Sequence, residues 1–371
     1  MSYIYQKPLN GENIGIVFGS FAPLHQGHLD LIMRAKKEND GGCIVIVCGY
    51  DGDKGEPLIP HHKRYRYVRE FFSDDDMVAV YAINDTKIGI DKYPNGWDGW
   101  MEEFFKIYSI AVVDHNNTER HWYVAEHDYY YGLEYRDEKA TFVDRRTNPI
   151  SATMIRENPI KYWEKIANPF KRAFSHNILI TGTASEGKSV LTQDLGKYFN
   201  APYSYEYPRN YMEDNCIHDT ELDGLDFLAF LHTQYELNKS LINSPLNKGV
   251  FFADSDALVT KMYAEYYMKD ENCRMTEEDF KAVAEVADTL SRKCRWDKIF
   301  VLVPHGKFVD DHSRYMEHAG ENERWDLCTL LLGNITNLGL QDKVTILDGS
   351  YYENFLTIKK YVEEEVFKNE R

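Results

Sequence analysis

No stretch of this chain is long and apolar enough to cross a bilayer; the longest clean apolar runs, such as Cys43–Cys48, fall far short of the ~20 residues a spanning helix needs. The opening MSYIYQKPLNGEN lacks a basic segment followed by an apolar one, so no secretory leader is expected. Cysteine is sparse. Its six copies, Cys43, Cys48, Cys216, Cys273, Cys294 and Cys328, include no C-x-x-C pair and form no dense framework. That spacing argues against a zinc site and a structural disulfide and fits reduced thiols in a cytoplasm. Positive charge is outnumbered, with 43 Lys and Arg against 60 Asp and Glu and a formal charge of −17. Such a surface repels a polyanionic backbone, so nucleic acid is not expected as the main partner. A small phosphorylated ligand stays compatible, because a local loop and Mg²⁺ can hold it. The composition leaves a homo-oligomer open.

The 371 residues, 43% of them apolar, suffice for about two domains, each with its own core. The 27 tyrosines are expected mostly to pack. In the first half, apolar β-branched runs alternate with helical stretches: Ile14–Phe18, Leu29–Lys37, Cys43–Cys48, Tyr65–Phe72, Val78–Ile83, Met101–Tyr108 and Ile110–Asp114. The second half repeats the grammar in Ile178–Thr181, Ser189–Phe199, Val250–Ala253, Ile299–Val303 and Val344–Leu347. Both halves therefore predict α/β folds with mostly parallel sheets. Asn168-Pro-Phe-Lys-Arg172 breaks a helical pattern between them, which puts the boundary near residue 170 and the domains at 1–170 and 171–371.

Residues 182–189, Gly-Thr-Ala-Ser-Glu-Gly-Lys-Ser, form a complete G-x-x-x-x-G-K-S phosphate loop directly after an apolar strand. Its glycines let backbone N–H groups close around a polyphosphate, Lys188 reaches the outer phosphates, and Ser189 is placed for Mg²⁺. Gly182, Ser185, Glu186, Gly187, Lys188, Ser189 and Val190 are the expected ATP contacts. A second phosphate signature, His25-Gln-Gly-His28, follows the strand Ile14–Phe18. Two imidazolium groups one helical turn apart, with helix N-terminal amides, can stabilise charge on an α-phosphate and its pyrophosphate leaving group. Ile150-Ser-Ala-Thr-Met-Ile-Arg156 adds an I-S-x-T-x-x-R element, in which Ser151 and Thr153 suit a helix N-cap and Arg156 can face phosphates. Two surface histidines and an ordinary capped helix would be the plain alternative. The basic run His61-His-Lys-Arg64-Tyr-Arg66 reads as a solvated helix face, with Arg64 or Arg66 as secondary phosphate contacts, and Asp144 and Arg145 as lesser nucleotide contacts.

Together, Gly19-Ser-Phe-Ala-Pro-Leu-His25-Gln-Gly-His28 and the I-S-x-T-x-x-R element resemble the adenylyltransferase superfamily, which implies that Gly19, Ser20, Phe21, His28, Ser151, Thr153 and Arg156 grip ATP. Tyr93-Pro-Asn-Gly-Trp97 sharpens this to a resemblance to the NadR family, in which a nicotinamide mononucleotide adenylyltransferase is joined to a ribosylnicotinamide kinase. That resemblance implies an aromatic residue stacked on the pyridinium, for which Trp97 is the candidate, Trp100 the rival, and core packing the alternative for both. Asn95 is a candidate for the carboxamide.

In the second half, Tyr205-Glu-Tyr-Pro-Arg209 resembles the E-x-x-R element of nucleoside kinases; Glu206 would bind ribose hydroxyls or assist proton removal, and Arg209 would hold acceptor or phosphate charge. The run Val250-Phe-Phe-Ala-Asp254-Ser-Asp256 ends a strand in carboxylates, as a Walker B element does. Asp254 is expected to bind Mg²⁺ or accept the hydroxyl proton, and Asp256 to cap the next helix. Arg314 and Arg324 look like lid arginines, and no N-K-x-D box suggests a GTPase. The resemblance covers nearly the whole chain in order. It implies ATP-dependent phosphorylation of nicotinamide riboside to the mononucleotide, then adenylyl transfer to NAD and pyrophosphate. Catalysis would rest on His25, His28, Lys188, Asp254 and Glu206, with ATP as co-substrate and Mg²⁺ as cofactor. The expected partners are therefore small molecules: nicotinamide riboside, nicotinamide mononucleotide, ATP and NAD. The first strand begins by about residue 14, so the helix-turn-helix some family members carry, and a DNA-binding role, are not expected. A coenzyme A assembly enzyme and a nucleotide sensor without turnover are the alternatives.

Overall fold

The structure, a computed structural model, describes residues 6–49, 55–144, 149–269, 273–305 and 321–368. It divides into two compact units, Met1–Phe174 and Ser175–Arg371.

In the first unit, strands β1 (Asn13–Gly19), β2 (Cys43–Cys48), β3 (Val78–Ile83), β4 (Glu119–Val124) and β5 (Ala140–Phe142) form one sheet in the order β3-β2-β1-β4-β5. Every pairing is parallel. The sheet is covered on both faces, so its strands read as nearly unbroken apolar runs. Side chains alternate along them: Val17, Val45 and Val47 join one core cluster, and Ile16, Ile44 and Ile46 join the other. The first cluster includes Leu31, Ile32 and Ala35 of helix Gln26–Glu38; the second includes Trp97, Trp100, Met101 and Phe104 of helix Trp97–Ala111.

The second unit contains β6 (His176–Gly182), β7 (Val250–Ala253), β8 (Lys298–Leu302) and β9 (Val344–Leu347), all parallel, in the order β7-β6-β8-β9. Leu179, Phe251 and Val301 face one core, while Ile178, Phe252 and Phe300 face the other. Both sheets have a point where successive strands turn from one side to the other, between β1 and β4 and between β6 and β8. Crevices at the carboxyl ends of strands at such points are where open α/β sheets bind ligands.

Two α/β units with parallel sheets match the sequence expectation, with local differences. Ile110–Asp114 is not a strand. The helix runs on to Ala111, Val112 makes only an isolated bridge with Leu9, and the fourth strand is Glu119–Val124. That strand hides in the sequence because charged residues open it, while its second half buries Trp122 completely. Just before Tyr205 the chain makes a single bridge, from Tyr203 to Phe252. The segment around Pro169 is itself a short helix, Asn168–Lys171, opened by proline where no amide donor is needed.

Trp122 also donates its indole N–H to Glu138 at 2.7 Å. Trp122→Ala removes that packing and leaves Glu138 short of a donor. The expected loss is about 3–5 kcal/mol, read as an earlier transition of the first unit in urea unfolding.

Candidate active sites

The loop after β1 reaches the first switch point. Phe21 takes a left-handed backbone conformation, φ 46°, and buries its ring, so only its backbone is left to face a ligand. His25 is the N-cap of helix Gln26–Glu38, and its Nδ1 accepts the Gly27 amide at 3.1 Å. With Nδ1 accepting, Nε2 is the ring nitrogen that can donate. The His28 ring stacks on it with centroids 3.8 Å apart.

The glycine of H-x-G-H has a specific cause. A Cβ at Gly27 would lie 3.2 Å from both the His25 ring and the Ile150 side chain. Its absence lets the two phosphate motifs close on each other. Ser151 caps helix Ala152–Glu157 by accepting the Met154 amide at 3.2 Å. Arg156 donates to Ala22 O at 2.6 Å and to Thr153 Oγ1 at 3.2 Å, tying the second motif to the first loop. His25, His28, Ser151, Thr153 and Arg156 are thus gathered at the loop that follows β1, where His28 meets Phe21 and Arg156 meets Ala22.

Arg64 does not face a ligand. It is fully buried and donates to the carbonyls of Ser20, Cys48 at 2.8 Å, Ile59 at 2.9 Å and Gly49 at 3.3 Å. The guanidinium pins the carboxyl ends of β1 and β2. His61 is buried too, with Nε2 2.9 Å from Val47 O, so the solvated face of this helix is left to His62, Lys63 and Arg66. Trp97 and Trp100 are also core residues. The two indoles stack with centroids 6.0 Å apart, Tyr129 stacks 6.0 Å from Trp97, and the Arg136 guanidinium lies 5.5 Å above the Trp97 ring. Both indoles are buried. Asn95 is exposed on the preceding turn, and Arg145 lies outside the described residues.

In the second unit the phosphate loop leaves β6 at its switch point. A Cβ at Gly182 would fall 2.3 Å from the Leu302 carbonyl, so glycine is what lets β6 and β8 stay adjacent as the loop begins. Gly187, at φ 77°, caps helix Lys188–Phe199. Lys188, the first helical residue, is buried and donates to Thr183 O at 2.7 Å. Ser189 is exposed; the Val190 side chain is exposed too, leaving its backbone as the part that a phosphate can meet.

Asp254 follows β7 and is 1% exposed, and neither carboxylate oxygen is matched by a hydrogen bond of good geometry. Burial pushes its pKa up to about 6, against the pull of Lys188; Glu206 raises it further, while Ser189 and Arg209 lower it. These mutual influences place the phosphate-loop lysine and serine, the E-x-x-R pair and the strand-end aspartate in one site. A buried carboxylate with unmatched oxygens beside a serine hydroxyl suits Mg²⁺, which takes one or two protein oxygens and fills its shell with phosphate and water. No cluster of three or more His, Cys, Asp or Glu capable of holding a metal occurs among the described residues. Asp256 is a helix cap, as expected, accepting the Leu258 amide at 3.0 Å and the Trp296 indole N–H at 2.8 Å.

Arg324, expected as a lid arginine, meets the phosphate loop itself. Its buried guanidinium pairs with Glu186 of the phosphate loop at 2.9 Å, and the other Glu186 oxygen accepts the His305 amide at 3.0 Å. Glu186 is therefore committed to shaping the loop, and burial raises its pKa. Arg314 lies outside the described residues.

Sequence reasoning missed Gln234 and Asn238, one turn apart on helix Gly224–Ile242. Gln234 accepts the Tyr207 amide at 2.8 Å and donates to Tyr205 O at 3.1 Å, bracketing Glu206. Asn238 accepts from Gln234 at 3.2 Å and donates to Ser255 O at 3.1 Å. The chain of amides fixes Glu206 relative to the end of β7. The only sequence signal was two amides on the buried side of a long helix. A cavity lined by Glu206, Met212, Asp219, Phe227, Tyr263 and Tyr267 opens beside it.

Comparison with known proteins agrees with this division. The Cytidylyltransferase-like family matches residues 16–158, and the AAA domain family matches residues 177–353. A protein of Salmonella typhimurium, "Trifunctional NAD biosynthesis/regulator protein NadR", is 31% identical over 276 residues, 70% of this chain; the match spans 64% of that relative's length. A crystal structure of NadR protein in complex with NR is 34% identical, with a TM-score of 0.84 and 97% of each chain covered. A second, in complex with NAD and AMP-PNP, is 34% identical, with a TM-score of 0.82 and coverage of 97% of this chain and 98% of that one.

The raised pKa of Asp254 gives a signed expectation for the ligand-free protein. Between its ordinary 3.8 and about 6 the folded state holds the proton more tightly than the unfolded state, so this group's contribution to stability falls as pH rises through that window. Asp254→Asn removes the ionisation. It is expected to be more stable than the parent at pH 8, by up to about 3 kcal/mol, with the difference closing towards pH 4 in urea unfolding.

Proposed function

We propose, for a chain that belongs to the NadR family, a bifunctional transferase of NAD biosynthesis. Its second unit phosphorylates nicotinamide riboside with ATP, and its first unit joins the mononucleotide to AMP from another ATP. The observation that carries the reading is the convergence of Lys188, Ser189, Glu206, Arg209 and Asp254 at one sheet edge, next to a cavity that Glu206 helps to line.

In the second unit the loop amides and Lys188 would hold the triphosphate, with Gly182, Ser185, Gly187 and Val190 contributing backbone. Mg²⁺, held by Ser189 and Asp254, would neutralise charge on the phosphate oxygens. Glu206, on the wall of the acceptor cavity, would hold ribose hydroxyls and take the proton of the attacking one as the phosphoryl group moves. Arg209 would steady the transferring group's negative charge. In the first unit, the mononucleotide phosphate attacks the α-phosphorus of ATP and pyrophosphate leaves. The proton-bearing Nε2 of His25, the His28 ring, Arg156 and the helix amides would stabilise the charge that builds there. Gly19 and Ser20 would approach the nucleotide through backbone. Neither step calls for a nucleophilic side chain.

Incubation with nicotinamide riboside, ATP and Mg²⁺, followed by chromatography, is expected to yield NAD through a mononucleotide intermediate; no phosphorylated product would overturn the reading. Lys188→Ala is expected to lower mononucleotide formation by at least about 100-fold while supplied mononucleotide is still converted to NAD. His28→Ala should do the reverse, accumulating mononucleotide.

A further inference from the structure

Glu186 lies inside the turn of the phosphate loop. The residues on either side of it, Ser185 at φ 64° and Gly187 at φ 77°, both take left-handed backbone. Glycine does so freely, whereas a serine is strained there and stays only where its surroundings hold it. Two contacts on the neighbouring carboxylate hold this turn: Glu186 Oε1 accepts the Arg324 guanidinium at 2.9 Å, and Oε2 accepts the His305 amide at 3.0 Å. Both side chains of the ion pair are almost out of water, 3% exposed for Arg324 and 2% for Glu186. Arg324 is itself well founded, because Leu327, Leu331 and Ile335 of its helix, Glu321–Asn337, are buried in the core.

A carboxylate is an awkward residue in a loop that closes around a polyphosphate. Burial raises the Glu186 pKa while the His305 amide, Arg324 and Lys188 lower it, so this carboxylate and the loop lysine feel each other's charge. Left without Arg324, Glu186 would repel an incoming triphosphate and compete with it for Lys188, in surroundings too dry to screen either effect. The ion pair cancels the charge where it would do harm, and the same contact fixes the turn.

We infer that Glu186 and Arg324 form a charge-cancelling clamp that sets the phosphate loop for the phosphoryl donor, with Arg324 a positioning residue that acts through Glu186 and not by touching the phosphates. The inference rests on the kinase reading above and deepens it, because affinity for the triphosphate then depends on a residue outside the phosphate loop.

The test is a double-mutant cycle in the full chain, with kcat and the KM values for ATP and nicotinamide riboside measured for the phosphorylation step. Arg324→Gln leaves the carboxylate without its partner beside Lys188 and is expected to raise KM for ATP about 30-fold. Glu186→Gln keeps an oxygen for Arg324 and the His305 amide, and should raise it less than about 5-fold. In the double variant, Glu186→Gln with Arg324→Gln, KM for ATP should fall back to within about 5-fold of Glu186→Gln alone. KM for the riboside should change less than about 2-fold in all three. A double variant as impaired as Arg324→Gln would overturn the inference, because an arginine that touches the phosphates directly is not made dispensable by a change at Glu186. So would an Arg324→Gln variant with the KM for ATP of the wild-type protein, or one that loses the same factor for ATP and for the riboside, as a merely structural arginine would. If Arg324→Gln does not fold, Glu186→Gln against the double variant decides: similar KM values for ATP support the clamp, and a further loss of about 30-fold in the double variant overturns it. No phosphorylation of the riboside by the wild-type protein would overturn the kinase reading itself, and the inference with it.

Discussion

A parallel sheet sends the carboxyl ends of all its strands to one edge, and both units are built on that constraint. Hydrogen bonding between parallel strands needs crossover connections, the crossovers bury both faces, and the strand ends are left as the place where loops meet. Where strand order reverses, two neighbouring loops part, and each unit puts a phosphate motif there. H-x-G-H follows β1 and the phosphate loop follows β6. In each case the next element is a helix whose N-terminal amides point into the opening.

Charge taken out of water is the second theme, and the molecule handles it in three ways. Arg64 is surrounded by carbonyl oxygens, so its donors are spent on holding two strand ends and a loop in place. Glu186 and Arg324 are paired, which links the phosphate loop to helix Glu321–Asn337 and keeps either charge from standing alone. Asp254 is kept dry with oxygens unmatched, an arrangement that costs stability by itself and suits a cation or a hydroxyl proton. Placing a destabilised carboxylate at the end of a central strand is a compromise between folding and chemistry.

Much of this was legible along the chain. The contiguous motifs were readable because their geometry is local: a phosphate loop, a cap at Ser151 and a helix cap at Asp256 each need only a few neighbouring residues. The strands were readable wherever both faces are buried, as at Cys43–Cys48. Legibility failed where the deciding partner is distant. Arg64 looked like one of several surface cations because its carbonyl partners sit on separate loops. The neighbours of Trp97, among them Tyr129 and Arg136, come from other elements and could not be read from its own segment. Arg324 belonged to a charge-rich stretch whose partner, Glu186, lies in the phosphate loop. Gln234, Asn238 and Asp219 left almost no trace, since a polar residue in a helix or short turn says nothing about what it touches.

The sequence by itself determined which chemistry the chain carries, because reactive residue types at short fixed spacings dictate their own local geometry through the backbone. Only the tertiary structure decided which of those residues face a ligand and which support the fold. Burial, pairing and a shifted pKa are properties of an environment assembled from residues far apart in the chain, and they exist only once the sheets have brought their strand ends together.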